Sequence, residues 1–414
     1  MNKKIIILAE SIDKNDSSCS KGNVALIENL KKAGFDITVY DYTRKKIILK
    51  DIECHPINEI KWGVNYILSR TQRVLQRNLN INFNSFLEQI FGFSFTFFND
   101  VNSMKLVINK IKDLNPDLII TLSKGTSFRP HYAMLSFPEL YDKWLANIHD
   151  PYPFHLNPRP FNWVEHGYQK KENFFNKVSH SARYSSFPSL LLKDWMGSYF
   201  PSFLKTGIVI PHQNANYEIL NHNLPDYFDV TKFNLLHAGN LLAQRSPIGL
   251  LDGFELFLNQ NPEAKKETQL LLLGPASAHI DFLKKYENNN PNIFIDTGYV
   301  DFDIVYNLQT KASVNIILEA KSEISPFLPG KFPHCVEANK AILSLAPYYS
   351  ETRRLLGNDY EYWSEADDVE KIATLIGKLY QLWKQSPGNL LLNRKDLEEY
   401  LSVSYLKKVI NGLD

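Results

Sequence analysis

The sequence predicts an α/β protein built from two doubly wound domains, each a parallel sheet covered by helices on both faces. A chain of 414 residues is too long for one ordinary core. A strand–helix–strand order also begins twice, at Ile5–Ala9 and at Phe233–Ala238. We therefore expect domains over residues 1–215 and 230–385, joined by a polar linker near 217–229. Two such domains leave a cleft between them, where ligands often bind.

Composition describes an ordinary globular protein, with 44% apolar and 22% charged residues. No run of 18 apolar residues occurs, so no membrane-spanning helix is expected. The N-terminus reads as a first strand and lacks the features of a signal peptide. The three cysteines lie far apart, which fits a reducing cytoplasm and offers neither a disulfide framework nor a metal site. The expected location is therefore cytoplasmic.

Charge is divided unevenly along the chain. Residues 1–215 hold 27 Lys and Arg against 19 Asp and Glu, whereas the remainder holds 19 against 26. A basic first half suggests an anionic partner, either a phosphorylated acceptor or an anionic membrane met peripherally on its inner face. The alternative is an asymmetry without a binding role.

The first half begins with the β-branched run Ile5–Ala9, a helix that ends at Gly34, and the strand Phe35–Tyr40. Right-handed crossover then makes the sheet parallel. The later predicted elements of this half are helices over 103–114, 174–178 and 189–195 and strands over 117–122, 144–148, 182–186 and 207–210.

Residues 44–100 interrupt this order and are read as an insertion. A helix is predicted over Lys61–Arg77, and the segment Ile90–Phe98 is densely aromatic. A basic helix face beside an aromatic patch could bind an anionic bilayer. The alternative is a solvated helix face followed by a core segment. The arginines that share the helix face are Arg70, Arg73 and Arg77.

The second half repeats the strand–helix order, with glycine or proline at most strand ends. Its predicted strands are 233–238, 269–273, 292–296 and 313–318, and its predicted helices are 247–257, 278–286 and 301–308. The stretch Ser325–Pro347 reads as a loop, a short helix and a buried strand. Helices over 367–383 and 394–410 end the chain, and residues 386–414 are expected to pack back toward the first domain.

Cations near strand ends are the best candidates for chemistry. Asn240 and Arg245 flank a strand-to-helix turn, and Lys331 precedes the start of another helix. Two cations with helix N-terminal amides could hold a diphosphate and stabilise charge on a leaving group. The alternative for Lys331 is a solvated surface lysine. Because no nucleophile elbow, Walker lysine or spaced histidine pair occurs, we expect a transfer driven by positioning.

Histidines offer proton-transfer candidates in both halves. The pair His149 and Asp150 follows a predicted strand, where the imidazole could take a proton from an acceptor hydroxyl or contact a donor sugar. His212 competes for this role, and His334 could reach a ribose hydroxyl. For each, the alternative is a structural histidine satisfied by its surroundings. Two weaker candidates lie in the segment FRPHY, namely Arg129 and His131.

The stretch FNLLHAGNLLAQRSPIGLLDGFELFL resembles the donor-binding domain of glycosyltransferase family 4, the bacterial group 1 glycosyltransferases. The resemblance implies the GT-B fold, in which two Rossmann-like domains face each other across a cleft. Gly239 matches the family's glycine and Arg245 its later cation, while Asn240 stands where arginine is usual. The segment NIHDPYP gives a thinner match in the first domain.

Further segments extend this resemblance through the second half. They are LLLLGPASAHIDFLKKY, with Gly274, the base-contacting turn with Tyr299 and Val300, and the donor-sugar and ribose segment with Ser325, Phe327, Lys331 and His334. The family commonly has two glutamates eight positions apart here, but this chain has Pro326 and His334 at those places. Glu337 is near but out of register. The stereochemical outcome and the donor therefore stay open.

The resemblance implies a hexosyltransferase-type enzyme that transfers a sugar from a UDP- or GDP-sugar to a hydroxyl on a glycan, lipid-linked or protein acceptor. Such enzymes usually need no metal or other cofactor, and no nucleic-acid partner is expected. A role in bacterial surface polysaccharide, glycolipid or glycoprotein synthesis fits the basic first half. The alternatives are a catalytically inactive binding protein of the same fold, or a sugar-nucleotide epimerase. A phosphorylase is disfavoured because nothing marks a pyridoxal-phosphate lysine.

Overall fold

The computed structural model describes residues 3–79, 84–161, 163–215 and 224–413. The chain divides into two compact units. Unit 1 comprises Met1–Asn157, Phe161–Ala215 and Ser402–Asp414, and unit 2 comprises Pro158–Pro160 and Asn216–Leu401. The predicted linker over 217–229 lies partly outside the described residues.

The strands of unit 1 are β1 (Lys4–Ala9), β2 (Asp36–Asp41), β3 (Glu53–Pro56), β4 (Leu118–Leu122), β5 (Trp144–Asn147), β6 (Tyr184–Phe187) and β7 (Gly207–Val209). Its helices, up to residue 215, are α1 (Ser18–Lys32), α2 (Val64–Leu79), α3 (Asn84–Phe91), α4 (Phe95–Ile111), α5 (Arg129–Met134), α6 (Tyr168–Ser181), α7 (Leu190–Tyr199) and α8 (Ser202–Thr206).

The sheet of unit 1 has the order β3-β2-β1-β4-β5-β6-β7, and every pairing is parallel. Ile5 of β1 pairs with Ile37 on one side and with Leu118 on the other. Strand β4, and β1 after Lys4, are buried on both faces, as expected for a parallel sheet covered by helices. The order reverses between β1 and β4, and ligands of such sheets bind at the carboxyl ends of the strands at this point.

The strands of unit 2 are β8 (Phe233–Ala238), β9 (Thr268–Leu273), β10 (Ile293–Asp296), β11 (Val314–Leu318), β12 (Ile324–Ser325), β13 (Ala341–Leu345), β14 (Tyr349–Ser350) and β15 (Trp363–Ser364). Its helices are α9 (Ile248–Gln260), α10 (Ile280–Asn289), α11 (Phe302–Lys311), α12 (Phe332–Glu337), α13 (Glu351–Leu356), α14 (Val369–Gln385) and α15 (Lys395–Tyr400). A last helix, α16 (Val403–Asn411), returns to unit 1 and packs on α1.

The main sheet of unit 2 has the order β10-β9-β8-β11-β13-β15 and is also parallel, while β12 pairs with β14. The order reverses between β8 and β11. Helix α14 packs against α9 over one face, with Phe257 and Tyr380 in edge-to-face contact. The predicted fold class, two parallel doubly wound sheets, is confirmed.

Three local predictions need correction. The region read as an insertion contributes β3, which pairs with β2 and completes one side of the sheet. Helix α4 begins at Phe95, earlier than predicted, because the hydroxyl of Ser94 accepts a hydrogen bond from the Phe97 amide and caps it. The helix predicted over 394–410 is two helices, since Ser402 caps α16.

The aromatic segment Ile90–Phe98 is largely a core segment. Phe93 and Phe97 are buried and stack with their ring centroids 4.1 Å apart. Burial of these two rings favours the core reading for that part of the segment, whereas Ile90 and Phe91 are 42% and 46% exposed. Among the described residues, no helix is long and apolar enough to cross a bilayer.

Candidate functional site

The candidate site of unit 2 lies where its strand order reverses. Gly239 follows β8 directly, and Glu319 follows β11 directly. Because β8 and β11 are parallel neighbours, both residues lie at the same edge of the sheet. The loops after β9 and β10 reach this edge as well, since those strands run in the same direction.

Lys331 extends across the end of β8. A Cβ atom added at Gly239 would lie only 2.8 Å from Lys331 Nζ, and the φ angle of Gly239 is +154°. Lys331 Nζ also lies 3.2 Å from Nδ1 and 3.3 Å from Nε2 of His237. Only glycine suits position 239, because it tolerates this backbone angle and leaves room for the ammonium group. Lys331, predicted from the sequence to bind the donor, thus has its ammonium group at this edge of the sheet, beside Gly239 and His237.

A second glycine brings the neighbouring strand end close. Gly274 has a φ angle of +128°, and a Cβ there would lie 2.8 Å from the carbonyl oxygen of Gly239. The Gly239 amide donates to the carbonyl of Leu273. The two glycines therefore let the ends of β8 and β9 approach each other without side chains between them.

Arg245 lies on the loop after β8, and its Nη1 donates a 2.9 Å hydrogen bond to the Asn240 carbonyl. Its Nε is buried without a hydrogen-bond partner among the described residues. Loss of water contact through burial lowers the pKa of the Arg245 guanidinium. Asn240 contributes its backbone oxygen to this contact. It adds no second positive charge, because it is an asparagine at the place where arginine is usual in the family that the sequence resembles.

The two cations influence each other electrostatically. Burial, followed by the charge of Arg245, lowers the pKa of Lys331 to about 7. Burial and the same two cations lower the pKa of His237 well below its ordinary value, so this imidazole is neutral. Two positive groups held close with little water strongly favour an anion. The charge of Arg245 thus acts on Lys331, and their joint role in holding a diphosphate stays a prediction.

Glu319 is one of two residues at this edge that the sequence reasoning missed. Its side chain is buried, and its carboxylate accepts a hydrogen bond from the hydroxyl of Ser325. Burial raises the pKa of Glu319, and the positive charge of Arg245 opposes that rise. A carboxylate directly after a buried strand, VNIILE, was the available sign. His237, also missed, occupies an apolar strand where a core role is the default.

The remaining donor-site candidates also follow strands of unit 2 along the chain. Tyr299 and Val300 follow β10, with Tyr299 exposed and Val300 partly buried against apolar neighbours. Phe327 is partly buried in the loop before α12. His334 is buried and meets the ring of Phe302 at a centroid distance of 4.9 Å.

In unit 1, His149 and Asp150 follow β5, with His149 Nε2 3.4 Å from Asp150 Oδ2. Cys19, in the first turn of α1, joins them, and one ligand atom from each of the three lies within 4.8 Å of the others. Burial acts to lower the pKa of His149, but electrostatic interactions with Cys19 and Asp150 outweigh it and raise that pKa to about 9. His149 is therefore positively charged near neutral pH, which suits a hydrogen-bond donor better than a base.

The other histidines near His149 are neutral. Burial and the charge of His149 lower the pKa of His212 to about 4. Burial lowers the pKa of His131 to about 3, and its Nε2 lies 3.0 Å from the Asn147 carbonyl oxygen. Of the predicted proton-transfer candidates in this unit, His131 and His212 are thus both neutral, and His131 already faces the Asn147 carbonyl oxygen. In the part of the chain that the structure describes, Cys19, His149 and Asp150 are the group that could hold a metal ion.

The guanidinium of Arg129 is held by two carboxylates within unit 1. It forms an ion pair with Glu10, which follows β1, and its Nε lies 3.2 Å from Asp100 Oδ2. Tyr42 donates to the same Asp100 carboxylate at 2.8 Å. Two carboxylates satisfy this guanidinium, so it is a poor site for an additional anion.

No family model matches the chain, and no curated protein sequence matches it either. Several solved structures do match the chain. OtsA, a trehalose-6-phosphate synthase, has a TM-score of 0.64 at 10% identity over 99% of this chain and 98% of that chain. HepE from Anabaena, solved with UDP and glucose, has a TM-score of 0.60 at 12% identity over 99% and 98%. The N-terminal domain of a Candida albicans trehalose-6-phosphate phosphatase has a TM-score of 0.62 at 14% identity over 100% and 97%. The chain therefore has the fold of the GT-B glycosyltransferases.

Proposed function

We propose that this protein is a glycosyltransferase that moves a sugar from a nucleotide diphosphate sugar, a UDP- or GDP-sugar, to a hydroxyl acceptor. The observation that carries the proposal is the approach of Lys331 to Gly239, with Arg245 nearby, at the strand reversal of unit 2. HepE, which has the same fold, was solved with UDP, the nucleotide product such a reaction releases. UDP is accordingly the first nucleotide to test.

Lys331 and Arg245 are assigned to the diphosphate. With a pKa of about 7, Lys331 is only partly charged in the empty site, and a bound diphosphate would complete its protonation. As the bond to the sugar breaks, negative charge grows on the leaving diphosphate, and these fixed cations stabilise it. The proposal therefore assigns to the two side chains the role that a metal ion has in other phosphate sites.

Unit 1 is assigned the acceptor. His149, charged near neutral pH, would donate a hydrogen bond to the acceptor, while the neutral His212 is the candidate for accepting a proton from the acceptor hydroxyl. Membership of family 4, a hexose as the transferred sugar and a role in bacterial surface polysaccharide or glycolipid synthesis complete the proposal. They rest on the sequence resemblance and on the basic charge of residues 1–215.

Two measurements test the function. UDP-glucose, UDP-N-acetylglucosamine and GDP-mannose are first compared for their ability to raise the unfolding temperature. The donor that binds is then incubated without acceptor, and the release of free nucleotide and free sugar is followed. A shift with slow donor hydrolysis supports a transferase. A shift alone indicates a binding protein, an isomerised sugar indicates an epimerase, and no shift with any donor contradicts the proposal.

A further inference from the structure

Helix α2 is oriented with its polar side toward the protein and its apolar side toward solvent. Ser69 and Gln72 are 2% and 8% exposed, and Gln72 donates a hydrogen bond to the Asn84 side chain. On the other side of the helix, Ile67 and Val74 are 60% and 56% exposed. An amphipathic helix of a globular protein normally buries its apolar stripe. Packing of α2 on α4 therefore leaves an apolar stripe without a partner among the described residues.

Exposed apolar side chains also occur just before α2 and on α3, which is joined to α2 by the hydrogen bond between Gln72 and Asn84. Trp62, just before α2, is 93% exposed, and α3 adds further exposed aromatic side chains. Scattered exposed apolar residues are ordinary, but a grouped set on adjoining short helices marks an interaction surface. We name this set the α2–α3 surface, and its principal members are Trp62, Val64, Ile67, Val74, Phe86 and Phe91.

The charge along α2 and the residues just before it is positive. Residues 61–79 contain four Lys or Arg and no Asp or Glu. Arg73 and Arg77 are exposed beside the apolar stripe, whereas Arg70 is partly neutralised by Glu59 at 3.3 Å. Apolar and aromatic side chains flanked by cations match the interface of a bilayer that carries anionic lipids.

A basic cavity lies next to the start of α2. It has a volume of about 590 Å³ and is lined by Lys46 and Lys61, together with Arg44 and Lys45, whose charges are already paired with Asp100 and Asp13. Ile48, 79% exposed, lines the same cavity. An anionic lipid head group could therefore find cations beside the apolar surface that meets the acyl chains.

We propose that the α2–α3 surface binds the surface of an anionic bilayer, with Trp62 at the level of the head groups and α2 lying in the membrane plane. This role is independent of sugar transfer. A second copy of the chain is a poorer occupant, because residues 1–215 carry 27 Lys and Arg against 19 Asp and Glu and like charges repel.

The test is co-sedimentation of the full chain with vesicles of phosphatidylcholine alone and of phosphatidylcholine with phosphatidylglycerol. We expect binding that requires phosphatidylglycerol and weakens as salt is added. Trp62 fluorescence should shift to shorter wavelength on binding, and the shift should be absent in Trp62→Phe. Binding equal on both vesicle types, or none on either, would overturn the proposal.

Substitutions on the α2–α3 surface test whether this surface contacts the vesicles. Ile67→Asp/Val74→Asp and Arg73→Glu/Arg77→Glu should each weaken vesicle binding at least about tenfold. Val230→Asp is the matched control for Val74, since Val230 is 55% exposed in unit 2, and Lys284→Glu/Lys285→Glu controls for charge. Unchanged thermal unfolding and nucleotide binding confirm that the variants fold.

Two further results would contradict the proposal. Equal losses in the control variants would mean that net charge or general hydrophobicity drives binding. Sedimentation without vesicles would show a dimer if the surface instead covers a second copy, and Ile67→Asp/Val74→Asp would then dissociate it.

Discussion

Replacing Lys331 by alanine should weaken the binding of UDP-glucose more than any other single change in unit 2. Its Nζ lies so near Gly239 that a Cβ there would be 2.8 Å away, and its charge has Arg245 as a neighbour. A charge-assisted contact is worth about 1.5–3 kcal/mol, so the dissociation constant should rise about 10- to 150-fold. Isothermal titration calorimetry measures this change directly.

The pH dependence of UDP-glucose binding tests the role of Lys331 a second, independent way. Lys331 has a pKa of about 7 in the empty protein, so at higher pH it is mostly neutral and must take up a proton to hold the diphosphate. Wild-type affinity should therefore fall about tenfold between about pH 6 and 8, and proton uptake should appear as a buffer-dependent binding enthalpy. UDP-glucose suits the test because its diphosphate does not titrate in this range.

The matched control is Lys321→Ala. That side chain is 70% exposed and pairs with Asp367 at the surface. Unchanged affinity in Lys331→Ala, or an equal loss in Lys321→Ala, would refute the assignment. A pH dependence that survives in Lys331→Ala would show that another group titrates.

Three further variants test neighbouring claims. Gly239→Ala should lower nucleotide affinity at an unchanged circular dichroism spectrum, because its Cβ would displace the Lys331 ammonium group; full affinity would contradict the close approach. Arg245→Gln should weaken UDP-glucose binding about tenfold in calorimetry by removing a charge and a bond to the Asn240 carbonyl, and an unaltered dissociation constant would exclude it from the site. His149→Ala should reduce turnover at least about tenfold with little change in donor affinity, and wild-type turnover would make that residue structural.

The alternation of strands and helices could be predicted because each buried strand and each amphipathic helix has its own local period. The glycine after β8 and the cations near 245 and 331 could be identified for a related reason, since strand ends are recognisable and parallel strands end at one edge. The sequence could not show that Lys331 reaches His237, because this contact joins residues 94 positions apart.

The misses have physical causes as well. β3 is four residues long and only partly buried, so it has no clear pattern of its own, and pairing with β2 makes it a strand. Helix α2 was predicted with a basic face, but the burial of Ser69 and Gln72 depends on packing against α4. Glu319 was overlooked because its role depends on Arg245, on the loop after β8, and on Ser325 of β12.

The most direct test is a crystal structure of the protein with UDP bound. The account predicts that the diphosphate lies at the carboxyl ends of β8 and β11, with Lys331 Nζ and the Arg245 guanidinium each within about 3 Å of a phosphate oxygen. UDP bound elsewhere, or bound here with both side chains turned away from the phosphates, would contradict it.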